Sequence, residues 1–245
     1  MKKPPKVSVV IPAYNEATYI GRLLNALVKQ SYKNFEVIVS DAESKDGTKE
    51  VVDSFKNKLD IKFIESPPLG PAHGRNIGAK NCKGEWLLFL DADDDIDDSD
   101  FIQTLITGAA YKKWRTATAR MTTKSGPSYA PLYHYQRLLS HTKRPVASGY
   151  CILTKREVFE SSGGFNEKIK FGEDYEYVSR NAKHGFGFVK STYYYVDPRR
   201  NKEEGLGLAW RGTLNEIYRL LRGYKKLEKQ PINYEFGKHQ KRNQD

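Results

Sequence analysis

The chain has 245 residues, a hydrophobic fraction of 38% and a formal net charge of +11. This length and composition exclude a disordered chain and allow one large α/β domain with a full core. The longest apolar runs, VSVVI and WLLFL, have the length of strands and fall short of the roughly 18–20 residues that a membrane-spanning helix needs. The cysteines, Cys82 and Cys151, have no metal-binding spacing and indicate no disulfide framework, which favours a cytoplasmic location.

Strand and helix patterns alternate along the first hundred residues. Apolar, strand-like runs are predicted at 7–11, 35–40, 61–64 and 85–90. Helical spacing follows the first run, with Asn15 or Thr18 as the cap, and returns around Val51–Phe55 and over 72–81. This alternation predicts an α/β fold with a doubly wound, mostly parallel sheet. Ligands of such sheets bind beyond the carboxyl ends of the strands.

The second half is less regular. Helices are predicted at 101–110, 131–140 and 172–184, and strands at 146–154 and 186–196. Beyond Gly207, apolar residues recur at spacings of four and three among several cations, which predicts an amphipathic helix over 206–227. The segment from Gln230 onward is polar and is expected to form a tail.

An acidic run, EWLLFLDADDDIDDSD, ends the fourth strand. Asp91 and Asp93 come directly after the apolar residues, and more aspartates follow without any Lys or Arg. Crowded carboxylates raise one another's pKa unless a cation lies among them. Such hard oxygen ligands suit Mg²⁺ or Mn²⁺. The run therefore predicts either a divalent metal site or an acidic, aspartate-capped turn between a strand and a helix.

The motif IPAYNE stands at the end of the first predicted strand. Pro12 lacks a backbone N–H and is expected to end the ladder there. Tyr14 offers a flat ring, and Glu16 offers an acceptor at the start of the helix. The motif taken alone also fits an ordinary strand-to-helix turn.

Two further motifs, SDAESKDGT and GPAHGRNIGAK, follow the second and third predicted strands. Asp41 is placed to accept a hydrogen bond from a base or ribose, whereas Asp46 to Thr48 also fit a turn and a cap. Arg75 is a fixed positive charge suited to a phosphate or a base edge. His73 is expected to make local hydrogen bonds.

The ordered set VSVVIPAYNE, SDAESKDGT, GRNIGAKN and FLDADDDI resembles the family 2 glycosyltransferases, which are inverting nucleotide-sugar transferases with the A-type fold. The downstream string SGYCILTKREVFESSGGFNEKIKFGEDYEY is similar to the second half of that family. The resemblance implies a catalytic domain over 1–204, with a nucleotide-binding half at 6–100 and an acceptor half at 101–204. Residues 205–245 would add the amphipathic helix and the polar tail.

The resemblance also implies roles for individual residues. Asp93 would hold the Mg²⁺ or Mn²⁺ that bridges the diphosphate, and Asp91 would face the ribose or the metal. Glu173 and Asp174 match the acidic pair that contains the general base of the family. The other implied donor-binding residues are Pro12, Ala13, Tyr14, Glu16, Asp41, Arg75 and Ala92. In the motif Ser148-Gly149-Tyr150, the glycine would let the backbone approach the donor sugar, although the motif also fits an ordinary kinked strand.

The implied activity is transfer of a sugar from a nucleotide diphosphate to a hydroxyl or phosphate of a glycan or lipid-linked acceptor. Ala42 and Glu43 stand where the family often has Asp and Gly, which leaves uridine and guanosine both open. A sugar nucleotidyltransferase is an alternative, although PAYNE is not its usual basic, glycine-rich loop. A nucleic-acid-binding protein is another, and the acidic run argues against it because carboxylates repel phosphates.

An acid-free stretch from 111 to 156 carries ten Lys or Arg and predicts an anionic partner. The helix at 206–227 is expected to contact an anionic inner membrane face, the chain's own domain, or a second copy in a homodimer. A lipid-linked, phosphate-bearing acceptor would account for both features. Arg199 and Arg200 are expected either to close over the diphosphate or to be solvated.

Overall fold

The computed structural model of the chain describes residues 7–126, 128–197 and Arg219. Within these residues, one mixed sheet has the strand order β3-β2-β1-β4-β6-β5-β7. The strands are β1 (Val7–Ala13), β2 (Phe35–Asp41), β3 (Ile61–Glu65), β4 (Trp86–Leu90), β5 (Thr116–Thr122), β6 (Cys151–Lys155) and β7 (Phe186–Tyr195). β6 runs antiparallel to β4 and β5, and the other pairs are parallel.

Helices connect most of the strands and cover the sheet. They are α1 (Ala17–Val28), α2 (Thr48–Asp53), α3 (Pro71–Lys80), α4 (Phe101–Tyr111), α5 (Ala130–Leu139), α6 (Arg156–Ser162) and α7 (Glu173–Asn181), with a 3₁₀ turn at Ala182–His184. β1, β2 and β4 are almost wholly buried, as expected of parallel strands covered on both faces. The predicted α/β, doubly wound and mostly parallel sheet is confirmed.

Pro12 does not end β1, contrary to the expectation from sequence. It lies within the strand, in register with Ser40 of β2. The carbonyl of Ala13 accepts from Ala42 on the β2 side, and neighbouring residues of a strand point to opposite sides. Pro12, which has no N–H, therefore faces β4. The pairing of β1 with β4 has already ended at Val10 and Phe89, so no ladder hydrogen bond is lost at Pro12.

Neither Asn15 nor Thr18 caps α1. The helix begins at Ala17, whose backbone N–H donates to Oδ2 of Asp46 over 3.0 Å. A side chain from the loop after β2 thus accepts a hydrogen bond from a backbone N–H at the start of α1. The sequence had predicted that a residue next to the helix start would accept it. The strand predicted for 146–154 begins only at Cys151.

β5 and α6 were not predicted. β5 has the sequence TATARMT and lacks a run of large apolar residues, yet Thr116 and Thr118 are buried. The hydroxyl of Thr118 donates to the carbonyl of Cys151 over 2.7 Å, and the hydroxyls of Thr116 and Thr154 lie 3.2 Å apart. Because these hydrogen bonds satisfy the hydroxyl groups, the threonines of β5 can be buried in the interior.

The predicted helix at 206–227, the polar tail, Arg199 and Arg200 lie outside the described residues, apart from Arg219, which is helical and buried. Among the residues that the structure describes, no helix has the length and apolar character to cross a membrane. The domain boundaries stay predictions. The two proposed halves share one sheet, because β6 joins β4 to β5.

Candidate active site

Two predicted motifs form one surface at the carboxyl ends of β1 and β2. The backbone N–H of Asn15 donates to the hydroxyl of Ser44 over 2.7 Å, and the N–H of Lys45 donates to Oδ1 of Asn15 over 2.9 Å. The N–H of Glu16 donates to the hydroxyl of Thr48 over 2.9 Å. Asn15 adopts φ 53°, in the left-handed region that Asn tolerates. The loops after β1 and β2 therefore hold each other in position.

Asp41, the predicted base contact, is buried at the end of β2. Its two carboxylate oxygens accept from Ser44, from the backbone N–H over 2.8 Å and from the hydroxyl over 2.6 Å. Burial raises the pKa of Asp41 above its ordinary value, against these hydrogen bonds. The carboxylate therefore shapes the loop, and its contact with a base stays a prediction.

Arg75 of α3 is the centre of the site and is only 3% exposed. Its Nη1 donates to Oε1 of Glu173 over 2.9 Å, and its Nη2 donates to Oδ1 of Asp91 over 2.7 Å. The guanidinium also lies over the ring of Phe165, 5.4 Å from its centroid. Burial alone would lower the pKa of Arg75, but the charges of Asp91 and Glu173 raise it overall. The guanidinium is therefore a permanent cation between two carboxylates.

Gly149 lets the chain pass closely beside this guanidinium. A Cβ at this position would lie 2.6 Å from Nη2 of Arg75, and the glycine carbonyl accepts from that atom over 3.4 Å. The sequence motif suggested a close approach to the donor sugar, whereas in the structure the close neighbour is Arg75.

Asp174, the second residue of α7, is hydrogen-bonded to the backbone of Gly149. Its Oδ2 accepts from the N–H of Gly149 over 2.5 Å, and its Oδ1 accepts from the N–H of Tyr175 over 2.8 Å. Burial and the charge of Glu173 raise the pKa of Asp174 to about 7, although Arg75 opposes them. A carboxyl group with that pKa can gain or lose a proton near neutral pH.

The acidic run separates into two functional parts. Lys124 donates to Asp95 over 2.8 Å and to Asp97 over 2.7 Å. Asp98 accepts from the hydroxyl of Thr192 over 2.7 Å, and Asp100 accepts from Ser31. The later aspartates therefore hold the loop onto neighbouring elements, and Asp100, at the N-cap of α4, makes no side-chain capping bond.

The first three aspartates remain at the strand end. Asp94 is fully buried, and its Oδ2 accepts from the N–H of Asp91 over 2.9 Å. Its Oδ1 has no hydrogen-bond partner among the residues that the structure describes. Burial and the charges of Asp91 and Asp93 raise the pKa of Asp94 well above its ordinary value. The site thus has an excess of hard oxygen ligands.

These residues fit a divalent ion of the kind that is held by one or two carboxylates and completed by substrate phosphates. Within the described part of the chain, no group of three or more His, Cys, Asp or Glu side chains is arranged as a full metal cage. The assignment of Asp91 and Asp93 as metal ligands stays a prediction.

The remaining predicted residues line the same edge. Glu16 is buried and Tyr14 half-buried. Ala13 and Ala92 are also buried. Pro12 lies against α3, because a Cβ on Gly74 would be 3.1 Å from the proline Cβ.

The sequence did not predict a hydrogen-bond network beside Arg75. Asn76 donates to the carbonyl of Phe165 over 2.9 Å and to Glu167 over 2.7 Å, and it accepts from the N–H of Phe165 over 2.9 Å. His73 lies 2.9 Å from the second oxygen of Glu167, which agrees with its expected local hydrogen bonding. The sequence GGFNE contains Phe165 and Glu167, but no sequence pattern indicated that these residues contact α3.

Comparison with known proteins identifies glycosyltransferases as relatives of this chain. The model of the family described as "Glycosyl transferase family 2" matches residues 8–163. Glycosyltransferase AglE of Haloferax volcanii is 32% identical over 198 residues, which are 76% of this chain and 64% of AglE. Poly(ribitol-phosphate) beta-N-acetylglucosaminyltransferase TarS of Staphylococcus aureus is 41% identical over 110 residues. Those residues are 43% of this chain and only 18% of TarS.

Two solved structures are similar in fold. S. aureus TarS 1-349 in complex with UDP-GlcNAc superposes with a TM-score of 0.65 at 25% identity, covering 78% of this chain and 58% of that one. The mannosyltransferase PcManGT from Pyrobaculum calidifontis, in complex with GDP-Man and Mn²⁺, superposes with a TM-score of 0.70 at 23% identity, covering 95% and 67%. The family match spans more than half of the sequence, and the chain belongs to glycosyl transferase family 2.

Proposed function

We propose that this protein is an inverting glycosyltransferase that moves a sugar from a nucleotide diphosphate to a hydroxyl or phosphate of a glycan or lipid-linked acceptor. One observation carries the proposal: Arg75 joins Asp91 at the end of β4 to Glu173 at the start of α7. The predicted metal ligands and the predicted base therefore border one site. The UDP-GlcNAc complex of TarS and the GDP-Man complex of PcManGT support a nucleotide-sugar donor.

The donor diphosphate belongs beside Arg75 in this proposal. Asp93, helped by Asp91, would hold Mg²⁺ or Mn²⁺, which would supply a Lewis acid for the leaving phosphate. The Mn²⁺ in the PcManGT complex supports a divalent ion. Arg75 adds a cation that stays charged at any working pH. Because two carboxylates already hold its guanidinium, no reorganisation is needed as charge develops on the diphosphate.

Asp174 acts as the general base. The acceptor oxygen forms a bond to the anomeric carbon, the bond from that carbon to the diphosphate oxygen breaks, and the acceptor proton passes to Asp174. A pKa of about 7 suits proton transfer near neutral pH, and such catalysis contributes roughly 10²–10⁴-fold. Attack opposite the leaving group inverts the anomeric centre. Tyr175 and Gly149 hold the carboxylate through their backbone N–H groups.

A thermal-shift panel tests the proposal. UDP-, GDP- and CDP-sugars are added to the full chain with and without Mn²⁺. The correct donor at about 100 times its dissociation constant should add roughly 2.7 kcal/mol to the free energy of unfolding. Stabilisation that needs both a nucleotide sugar and Mn²⁺ is expected. The proposal fails if none of these donors stabilises the protein. The cytoplasmic location and the homodimer stay predictions.

A further inference from the structure

The acid-free stretch does not form a single surface. Lys112, Lys113 and Arg115 precede β5, and Lys155 ends β6. Trp86 pairs with Lys155, so this first group lies at the amino end of β4, away from Asp91. Three other cations, Arg137, Lys143 and Arg144, lie on α5 and in the turn before Ser148. The two groups therefore belong to different ends of the sheet.

Most other cations of the stretch are used by the fold. Arg115 pairs with Glu157, and Arg156 donates to the carbonyl of Gly84 over 2.7 Å. Lys155 lies over the ring of Trp86, 4.4 Å from its centroid, and Lys124 holds the acidic run. These contacts account for the charges without an external partner.

The cations of α5 differ in this respect. Among the residues that the structure describes, no carboxylate forms an ion pair with Arg137, Lys143 or Arg144. α5 also carries Leu138, which is 70% exposed, and Tyr135, which is 37% exposed. We call these five residues the α5 patch. The α5 patch thus combines three cations that form no ion pair within the described part of the chain with an exposed aliphatic side chain.

The inner side of α5 reaches the candidate active site. Gln136 is 1% exposed, and its Nε2 donates to the hydroxyl of Ser148 over 2.6 Å and to the hydroxyl of Tyr175 over 3.0 Å. Tyr175 in turn donates its backbone N–H to Asp174. The α5 patch is therefore joined to the proposed base through two side chains.

We propose that the α5 patch docks onto a bilayer containing anionic lipid and thereby holds the Asp174 side of the site close to the membrane surface. Charge complementarity supports this partner, because each Lys or Arg near an anionic bilayer is attracted to it. The exposed Leu138 favours a membrane over a soluble polyanion, because a polyanion needs the cations alone. A basic surface with an aliphatic and an aromatic side chain has the chemistry of interfacial helices. This docking goes beyond the proposed transfer reaction and is tested without it.

Vesicle sedimentation of the full chain tests the docking. The vesicles contain either phosphatidylcholine alone or phosphatidylcholine with phosphatidylglycerol, at low and at moderate salt. The parent is expected to bind only vesicles with phosphatidylglycerol, and more weakly as salt rises. Arg137→Ser with Arg144→Ser should weaken binding roughly thirtyfold, since each cation contributes independently. Leu138→Ser should weaken it roughly tenfold through lost apolar burial.

The opposite end of the sheet supplies matched controls. Lys112→Ser with Lys113→Ser removes the same charge, and Tyr111→Ser removes a side chain that is 80% exposed. These variants should bind as the parent does. Thermal melts establish that every variant is folded, and Leu138→Gln replaces Leu138→Ser if the latter unfolds.

Three results would overturn the docking. The first is a parent that does not bind vesicles with phosphatidylglycerol, and the second is equal loss in the α5 and control variants. The third is full competition by soluble polyphosphate together with unchanged binding of Leu138→Ser, which would assign the surface to a soluble polyanion.

Discussion

Arg75 Nη1 lies 2.9 Å from Oε1 of Glu173, so a buried guanidinium of α3 is paired with the first residue of α7. The other end of the same guanidinium holds Asp91 at the end of β4. A single side chain therefore sets the distance between the strand-end carboxylates and the helix that carries Asp174. Stability and activity should both depend on it.

Arg75→Met should destabilise the protein strongly. Methionine keeps the apolar stem but leaves Glu173 and Asp91 without their cation, and breaking a buried pair costs about 3–5 kcal/mol. Urea unfolding measures the loss. Lys49→Met is the control, because its pair with Glu65 is exposed on both sides and such pairs contribute little. Equal effects of the two substitutions would contradict the buried network.

Gly149→Ala should also destabilise. The new methyl would meet Nη2 of Arg75 at 2.6 Å, and overpacking of this kind costs about 1–3 kcal/mol. Gly21→Ala is the matched control, since its Cβ would meet only Val51 at 3.5 Å within α1. That change should stabilise by roughly 0.5–1 kcal/mol. A Gly149→Ala protein as stable as the parent would rule out the close approach.

Asp93→Ala should abolish the Mn²⁺-dependent part of nucleotide-diphosphate binding and leave the fold intact. The carboxylate lies at the strand end, where it is proposed to hold the ion, whereas Asp97 of the same acidic run is paired with Lys124. Asp97→Ala is therefore the control and should bind as the parent does. Titration calorimetry with and without Mn²⁺ measures the difference. Equal Mn²⁺ dependence in both variants would remove Asp93 from the metal site.

Local sequence predicted the elements that large apolar residues mark. The runs around Val9, Val37 and Leu88 became β1, β2 and β4 because they are continuous and are covered on both faces. β5 was missed because its buried threonines are satisfied by hydroxyl bonds to β6. These hydrogen bonds form only when β5 lies beside β6 in the sheet, so no local sequence pattern predicts them.

The site was predicted as separate motifs, and its connections were not. Arg75 and Glu173 were both named as candidates, yet their pairing joins positions far apart in sequence. The capping of α1 by Asp46 and the contact of Gly149 with Arg75 are of the same kind. Spacing along the chain carries no information on such contacts, whereas strand ends do indicate which edge of a parallel sheet collects the residues.

The pKa of Asp174 predicts a pH dependence of stability. Its folded value of about 7 lies above the ordinary 3.8, so between these values the folded state keeps a proton that the unfolded state has lost. Stability should therefore fall as pH rises from about 4 to about 7. Asp174→Asn lacks this contribution, and its unfolding free energy relative to the parent should rise over that window by about 1–3 kcal/mol. A constant difference in urea unfolding would contradict the raised pKa.

Asp174→Asn tests whether Asp174 is the general base when donor affinity and turnover are measured on one preparation. The amide keeps the shape of the carboxylate and can accept one of its two backbone hydrogen bonds, but it cannot accept the acceptor's proton. The account predicts near-parental donor affinity and a loss of turnover of roughly 10²–10⁴-fold, with parental turnover rising as pH passes through about 7. Near-parental turnover in Asp174→Asn would contradict it and would move the base to Glu173 or to another residue.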